Sequence, residues 1–171
     1  MRDRRFVAMH RGGPLDRESH VVLARWAADC AERVLPLFTL CSEDLRPAHA
    51  LEVARAWARG EVKTGVAMKA SVAAHAAARQ VEDGAATAAA RAAAQAVATA
   101  HFADHCMGGL LYSLKALAVS GQPTEAELTG QLAKLPAHLR GQVREGVEIR
   151  LEPLGIGRRR SGNSQTARHE G

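Results

Sequence analysis

The stretch TAHFADHCMGG, residues 99–109, concentrates side chains that could bind a metal ion or transfer a proton. His101 and His105 are four residues apart, and side chains at that spacing lie on the same face of an α-helix. Both imidazoles could therefore reach one cation, with Asp104 as a third ligand or as an acceptor that orients an imidazole. His75, on the preceding predicted helix, would supply a fourth group if the two helices pack antiparallel. These residues define one hypothesis, a helical-bundle metalloprotein or small enzyme.

A structural role is the interpretation that the sequence favours for the same cluster. No His-Glu-x-x-His motif and no pair of cysteine thiolates accompanies it. A buried histidine needs a hydrogen-bond partner, and Asp104, Thr99 or Tyr112 could provide one. His101 and His105 would then hold their helix against its neighbours, and we expect no catalytic residue, no metal and no cofactor. Use of the cluster as a binding surface is the third alternative.

A second group of residues begins at Trp26, in the run WAADC. Trp26 and Cys30 share the apolar face of a predicted helix, so we expect the ring to pack and the thiol to fill a small gap. Asp29 lies on the flank of that face, with Arg25 and Arg33 four residues away on either side. This spacing predicts an exposed ion-pair ladder worth about 0.3–0.5 kcal/mol for each pair. The alternative is that Asp29 reaches a histidine or the amides of another helix.

The three cysteines predict free thiols in a reducing cytoplasm, because their number is odd and no Cys-x-x-Cys spacing occurs. One disulfide with a spare thiol is the alternative. Neither Cys30 nor Cys106 lies at a predicted helix N-terminus, where the thiol pKa would be lowered, so we do not expect a nucleophile. Cys41, in the loop before Pro47, is the expected exposed thiol.

Length and charge narrow the class of protein. The 171 residues suffice for one domain, and no apolar run approaches the roughly 20 residues that cross a membrane. Of the net charge of +5, residues 1–14 and 155–171 each carry +3, which leaves about −1 for 15–154. Nucleic-acid-binding domains place their basic residues on a structured face, so we expect no nucleic-acid partner. We predict a mobile basic segment over 1–14, a helical domain over 15–154 and a disordered basic tail over 155–171.

Helical periodicity and an alanine content of about a fifth predict an all-α, single-domain bundle of about six helices. We place Pro36 at the end of the first helix and Pro47 in the first turn of the second, which carries Trp57 on its apolar face. Thr124 and Glu127 suggest a capping box. Residues 147–152 alternate like a strand but also fit a helix, which we prefer. The predicted helices run over about 17–35, 47–58, 61–81, 85–106 and 110–119, followed by one from 125 and one through 139–151.

The helix predicted from Ala85 to Cys106 consists mostly of alanine. Side chains this small let neighbouring backbones approach closely, so we expect a central helix that others surround. Gly108 and Gly109 would then weaken the helix and separate it from the next one.

Several of these segments resemble the Imm-5-like family of immunity proteins from bacterial polymorphic toxin systems. The resemblance covers about residues 10–140 and rests on HRGGPL, LARWAADCAERVLPLF, RPAHALEVARAWARGE, SVAAHAAAR and AVATAHFADHCMGGLLYSLKAL. Near the C-terminus members carry a Trp-Gln pair before Leu-Pro, whereas this chain has Gly130 close to the place of the tryptophan. The residues that we expect to carry the structural motif are Trp26, Asp29, Cys30, Trp57, His75, His101, His105 and Tyr112.

The resemblance implies an all-helical cytoplasmic protein that binds a cognate toxin and blocks it without chemistry of its own. Loops on a rigid bundle are common contact sites, so we place the partner surface at CSEDLRP, where Glu43 and Asp44 could meet a basic nuclease. Ser42 or Asp44 could equally serve only to cap the second helix. A helical interaction module unrelated to toxins is a further alternative, since fold alone fixes no function.

Overall fold

The computed structural model describes residues 3–156, and these form eight α-helices and three short 3-10 helices without a β-strand. The α-helices are α1 Arg17–Glu32, α2 Leu35–Thr39, α3 Arg46–Ala58, α4 Thr64–Ala78, α5 Gly84–Ala98, α6 His105–Val119, α7 Glu125–Ala133 and α8 Ala137–Leu151. The 3-10 helices are Arg4–Phe6, Met9–Arg11 and Glu152–Leu154. The predicted all-α class is confirmed for this part of the chain, and 147–151 is helical as preferred.

The eight α-helices of residues 3–156 exceed the predicted number of about six, and α2 is the element that the sequence did not separate. α1 ends at Glu32, and Pro36 lies in the first turn of α2 instead of only ending the first helix. Proline fits there because the first turn of a helix has no intrahelical acceptor for its missing N–H. α2 places Phe38 fully inside the core. Pro47 lies in the first turn of α3, as predicted.

The alanine-rich α5 is the central helix, as the composition predicted. It packs against α1, α2, α3, α4 and α6, and α7 and α8 pack against α6. α5 has ten buried residues, nine of them alanine, so helix axes approach closely on several sides.

The boundary between α5 and α6 differs from the prediction. α5 ends at Ala98 and not at Cys106, and Gly108 and Gly109 lie inside α6 and do not interrupt it. A Cβ atom on Gly109 would stand 3.2 Å from the Cβ and the carbonyl oxygen of Ala27. This glycine therefore serves the close contact between α6 and α1, a role that its helix-weakening tendency conceals in the sequence.

Helix caps agree only in part with the expected signals. The Asp16 carboxylate accepts from the Ser19 N–H at 2.7 Å and that of Asp83 from the Ala86 N–H at 2.7 Å. The capping box predicted at Thr124 does not form, because its side chain makes no capping hydrogen bond. Glu127 accepts instead from the side-chain amide of Gln131 at 2.7 Å.

The first described residues pack onto the helical domain. Phe6 is 4 % exposed, and the backbone of Leu15 exchanges hydrogen bonds with Val7 and Met9 at 3.0 and 2.8 Å. Arg5 forms an ion pair with Glu145 of α8 at 2.7 Å. The prediction of a mobile segment over 1–14 rests on its basic charge, and a single aromatic residue among arginines gives no periodic signal of burial. The predicted tail over 155–171 falls almost entirely outside the described residues, which end at Ile156.

Within residues 3–156, no helix has the length and apolar character that crossing a membrane requires.

Candidate functional site

The cluster of residues 99–105 lies at the junction between two helices, not on one helical face. Thr99 is the C-cap of α5, His101 lies in the connection, Asp104 is the N-cap of α6 and His105 is its first residue. The His101 N–H bonds the Ala98 carbonyl at 2.9 Å, which turns the chain. The predicted one-turn spacing of His101 and His105 on a single helix is therefore wrong.

His20 is the histidine that fastens this junction to the core, and the sequence reasoning missed it. His20 lies on α1, is 4 % exposed, and its Nε2 is 2.6 Å from the carbonyl oxygen of Thr99. Its ring packs on Trp57 of α3 with 4.9 Å between centroids. Helical periodicity could have indicated its burial, since His20 precedes Leu23 and Ala27 by three and seven residues on the apolar face of α1.

A row of rings covers the outer side of the junction. Phe102 lies between His101 and His105, with centroid distances of 4.0 and 6.4 Å. The Arg11 guanidinium stands 4.5 Å above the Phe102 ring, a cation–π contact that ties the N-terminal segment to the junction. These side chains are half-buried or exposed, so they pack on the surface of the junction and are not part of the hydrophobic core.

His105 is oriented by Gln95 of α5, whose side-chain oxygen lies 2.7 Å from its Nδ1. Gly108 makes this contact feasible, because a Cβ at that position would stand 2.6 Å from the same oxygen. Both side chains border a surface cavity of about 330 Å³ together with Asp104, Tyr112 and Arg150. The predicted structural residue Tyr112 is thus half-buried beside His105.

The four candidate metal ligands do not form a ligand set. Over residues 3–156, no group of three or more His, Cys, Asp or Glu side chains is placed to hold a metal ion. His75 is half-buried on α4, where burial, and then the charges of Arg91 and Arg79, lower its pKa. Two guanidinium groups beside an imidazole favour its neutral form but also oppose the approach of a cation.

The three cysteines are free, and Cys41 is exposed as predicted. Cys106 lies in the first turn of α6, contrary to the prediction that neither Cys30 nor Cys106 is at a helix N-terminus. Burial nevertheless raises the thiol pKa of Cys106, and the charge of Asp104 raises it further. Burial also raises the thiol pKa of Cys30. Neither thiol is therefore prepared to act as a nucleophile.

The WAADC run fixes α1 to two neighbours. Trp26 is 5 % exposed and donates from Nε1 to the carbonyl of Gln131 in α7 at 2.8 Å. Asp29 forms an ion pair with Arg55 of α3 at 3.0 Å, and Glu32 bonds the same guanidinium at 2.8 Å. The expected ladder with the flanking arginines of α1 is thus replaced by a contact between helices, which periodicity along one helix cannot reveal.

The predicted partner surface lies at the corner between α2 and α3. Asp44 accepts from the Arg46 N–H at 2.9 Å and also bonds the Arg46 guanidinium, which lowers the pKa of the carboxyl group. Asp44 therefore organises the start of α3, while Glu43 is exposed. Leu40 and Leu45 are 83 % and 76 % exposed on either side of it. A groove of about 290 Å³ runs along this corner and is lined by Leu35, Thr39, Glu43 and Ala48, among others.

Comparison with protein-family models gives a match over residues 13–138, to the model described as Imm-5 like putative immunity protein. The chain belongs to the Imm-5-like family. No match was found among curated proteins or among solved structures. The match spans α1 to α7 and ends in the first turn of α8, so it includes the junction, the WAADC run and the corner.

Gly130 is the position where this Imm-5-like chain departs from the family resemblance. It lies exposed on α7, and a Cβ there would meet no atom within 4 Å. The adjacent Gln131 is buried, and its carbonyl accepts from Trp26. The fold therefore leaves room for a larger residue at 130 while using the backbone beside it for the core.

The environment of His20 predicts a pH dependence of stability in this Imm-5-like protein. Burial first, and then the charges of Arg17, His10 and Arg11, lower the His20 pKa below its ordinary value of 6.5, although the Thr99 carbonyl acts in the opposite direction. Between about pH 7 and pH 5 the unfolded chain therefore binds more protons than the folded chain, and the free energy of unfolding decreases as the pH is lowered. We expect the melting temperature to fall over this range, before the carboxylates titrate.

Melting curves of the wild type and of His20→Gln at the two pH values check this expectation. The variant should show a smaller decrease than the wild type, with His75 accounting for part of the remainder because its pKa is lowered too. Equal decreases in both proteins would contradict the assignment to His20.

Proposed function

We propose that this Imm-5-like protein binds a cognate protein toxin in the cytoplasm of the producing cell and neutralises it by covering its surface. The single observation that carries the proposal is the family match over residues 13–138. Immunity proteins need a partner surface but no chemistry of their own. The buried thiols, whose pKa is raised, are compatible with such a non-catalytic role.

We propose the corner between α2 and α3 as the toxin-binding surface. Leu40 and Leu45 expose most of their side chains within six residues of each other, and the groove lies beside them. Burial of apolar side chains dominates the binding energy of most protein interfaces. A charged group at the rim contributes to the choice of partner. Glu43 is that charged group, so the toxin is expected to present a cation there. Asp44 supports the corner by holding Arg46 at the start of α3.

Co-expression with the toxin of a neighbouring gene tests the proposed function. We expect cells that produce this protein to survive the toxin, and the purified pair to form a complex. Survival that does not exceed the empty-vector control for any neighbouring toxin would refute the proposal.

The corner is tested with the double variant Leu40→Asp/Leu45→Asp. Because both side chains are in solvent, the fold should be retained, whereas toxin affinity should fall at least about 100-fold and rescue should be lost. Ile149→Asp on α8 is the matched control, since Ile149 is also an apolar residue that is 71 % exposed. Unchanged rescue by the double variant would place the toxin elsewhere on the molecule.

A further inference from the structure

The outer face of α4 is an apolar helix surface that no other described element covers. Its inner face packs against α3 and α5 through Ala67, Ala70 and Ala74. The opposite face carries Met68 and Val72, which are 44 % and 68 % exposed. These two residues are one helical turn apart and so form a continuous ridge.

Small residues lie at both ends of this ridge. Gly65 precedes Met68 by three residues and Ala76 follows Val72 by four, so all four lie on the same side of the helix. A Cβ on Gly65 would meet no atom within 4 Å, so the fold of this chain does not require a glycine there. A ridge of larger side chains between small residues permits close approach of a second helix, by the packing of ridges into grooves.

The charge of this surface is positive. No Asp or Glu occurs between Glu61 and Glu82. Lys69 lies exposed beside the ridge, Lys63 and Arg79 lie exposed at the two ends of α4, and Arg91 of α5 is near enough to His75 to lower its pKa. A partner that combines apolar residues with carboxylates is therefore complementary to this face, whereas a basic partner is repelled.

We propose that the outer face of α4 binds an acidic amphipathic helix of another protein. The apolar side of that helix would cover Met68 and Val72, and carboxylates on its flanks would meet Lys69 and Arg79. This surface lies on a different helix from the corner at Leu40 and Leu45, and the proposal does not depend on the partner being a toxin.

Three other occupants fit the face less well. Interfacial membrane helices carry aromatic or leucine side chains and many cations, whereas this ridge has one Met, one Val and small residues. Nucleic acid requires a row of cations without an apolar centre. A second copy would bring two positive faces together without any acidic residue between them.

The test uses the full-length protein and a fluorescein-labelled helical peptide of about 15 residues, the length of α4. The peptide carries leucines along one face and glutamates on both flanks, and a second peptide has lysines in place of the glutamates. Fluorescence anisotropy gives the dissociation constants, at about 0.05 M and about 0.5 M salt. The variants are Met68→Glu/Val72→Glu, the matched control Ile149→Glu, and the corner variant Leu40→Asp/Leu45→Asp.

We expect the acidic peptide to bind the wild type, more weakly at high salt, and the lysine peptide not to bind. The α4 double variant should weaken acidic-peptide binding at least about tenfold, and the Ile149 and corner variants should leave it unchanged. Absence of binding, or binding that the α4 variant does not weaken, would overturn the proposal. So would α4-dependent binding to phosphatidylglycerol vesicles or to duplex DNA, or an α4-dependent dimer, in place of peptide binding. The peptide assay contains no toxin, so a negative result there does not bear on the proposed toxin neutralisation. Equally, a failed rescue from the toxin does not bear on peptide binding to α4.

Discussion

Replacement of Trp57 by alanine is expected to lower the free energy of unfolding by about 3–5 kcal/mol. Trp57 is 3 % exposed and donates from Nε1 to the Thr64 hydroxyl at 3.1 Å, which ties the end of α3 to the start of α4. Its ring also packs against His20 and lies 4.3 Å below the Arg17 guanidinium, so the truncation would open a cavity between three helices. A domain of this size has a total stability of only about 5–15 kcal/mol, so the loss is a large part of it.

Denaturant titration followed by far-UV circular dichroism measures this effect. Trp57→Phe is the matched control, because it retains most of the ring packing and loses the N–H donor. We expect it to lower the free energy of unfolding by about 1–2 kcal/mol. Arg17→Gln should cost about 1 kcal/mol or less, since it removes only the exposed cation. A loss below about 2 kcal/mol for the alanine variant would mean that the surrounding side chains collapse into the space.

Replacement of His20 by alanine is the second large effect, at about 2–4 kcal/mol. The substitution would remove a buried ring and leave the Thr99 carbonyl without the contact at 2.6 Å. His101→Ala and His105→Ala should each cost about 1 kcal/mol or less, because both side chains are half-buried at the surface of the junction. The histidine that locks the end of α5 is therefore expected to be the one outside the HFADHC run.

The same titrations compare the three histidine variants directly. His20→Asn retains a polar side chain in part of the space and serves as the control for loss of volume. The double variant His20→Ala/Trp57→Ala should lose less than the sum of the single losses, because the two rings contact each other. A larger loss for His101→Ala or His105→Ala than for His20→Ala would contradict this account.

The sequence was informative where the signal repeats along one helix. Leu23, Ala27 and Cys30 predicted the buried face of α1, and all three are fully buried. The alanine run predicted a central helix because only methyl groups allow several neighbours to approach it at once, and α5 has five such neighbours. Pro47 in the first turn of α3 and the positive φ of 79° at Gly60 after α3 follow from backbone geometry that each residue carries in itself.

The sequence was misleading where a residue's role depends on a partner far along the chain. Glycine weakens an isolated helix, so Gly108 and Gly109 predict a break, but in the fold they make room for Gln95 and Ala27. The spacing predicts arginines of the same helix as the partners of Asp29, whereas its ion-pair partner is Arg55 on another helix. His20 belongs to no recognisable motif. Its structural role depends on the contact between its ring and the Thr99 carbonyl, which the sequence does not show.

By itself, the sequence determined the helical class, the central position of the alanine helix and membership of the Imm-5-like family, because these depend on composition, periodicity and local motifs. Only the tertiary structure decided where α5 ends, which histidine holds it and which apolar side chains remain in solvent. Those properties depend on contacts between residues distant along the chain, as between His20 and Thr99, and on the sides of α2, α3 and α4 that no helix within residues 3–156 covers. Burial of a side chain is fixed by its neighbours in space, which a pattern along one helix does not contain.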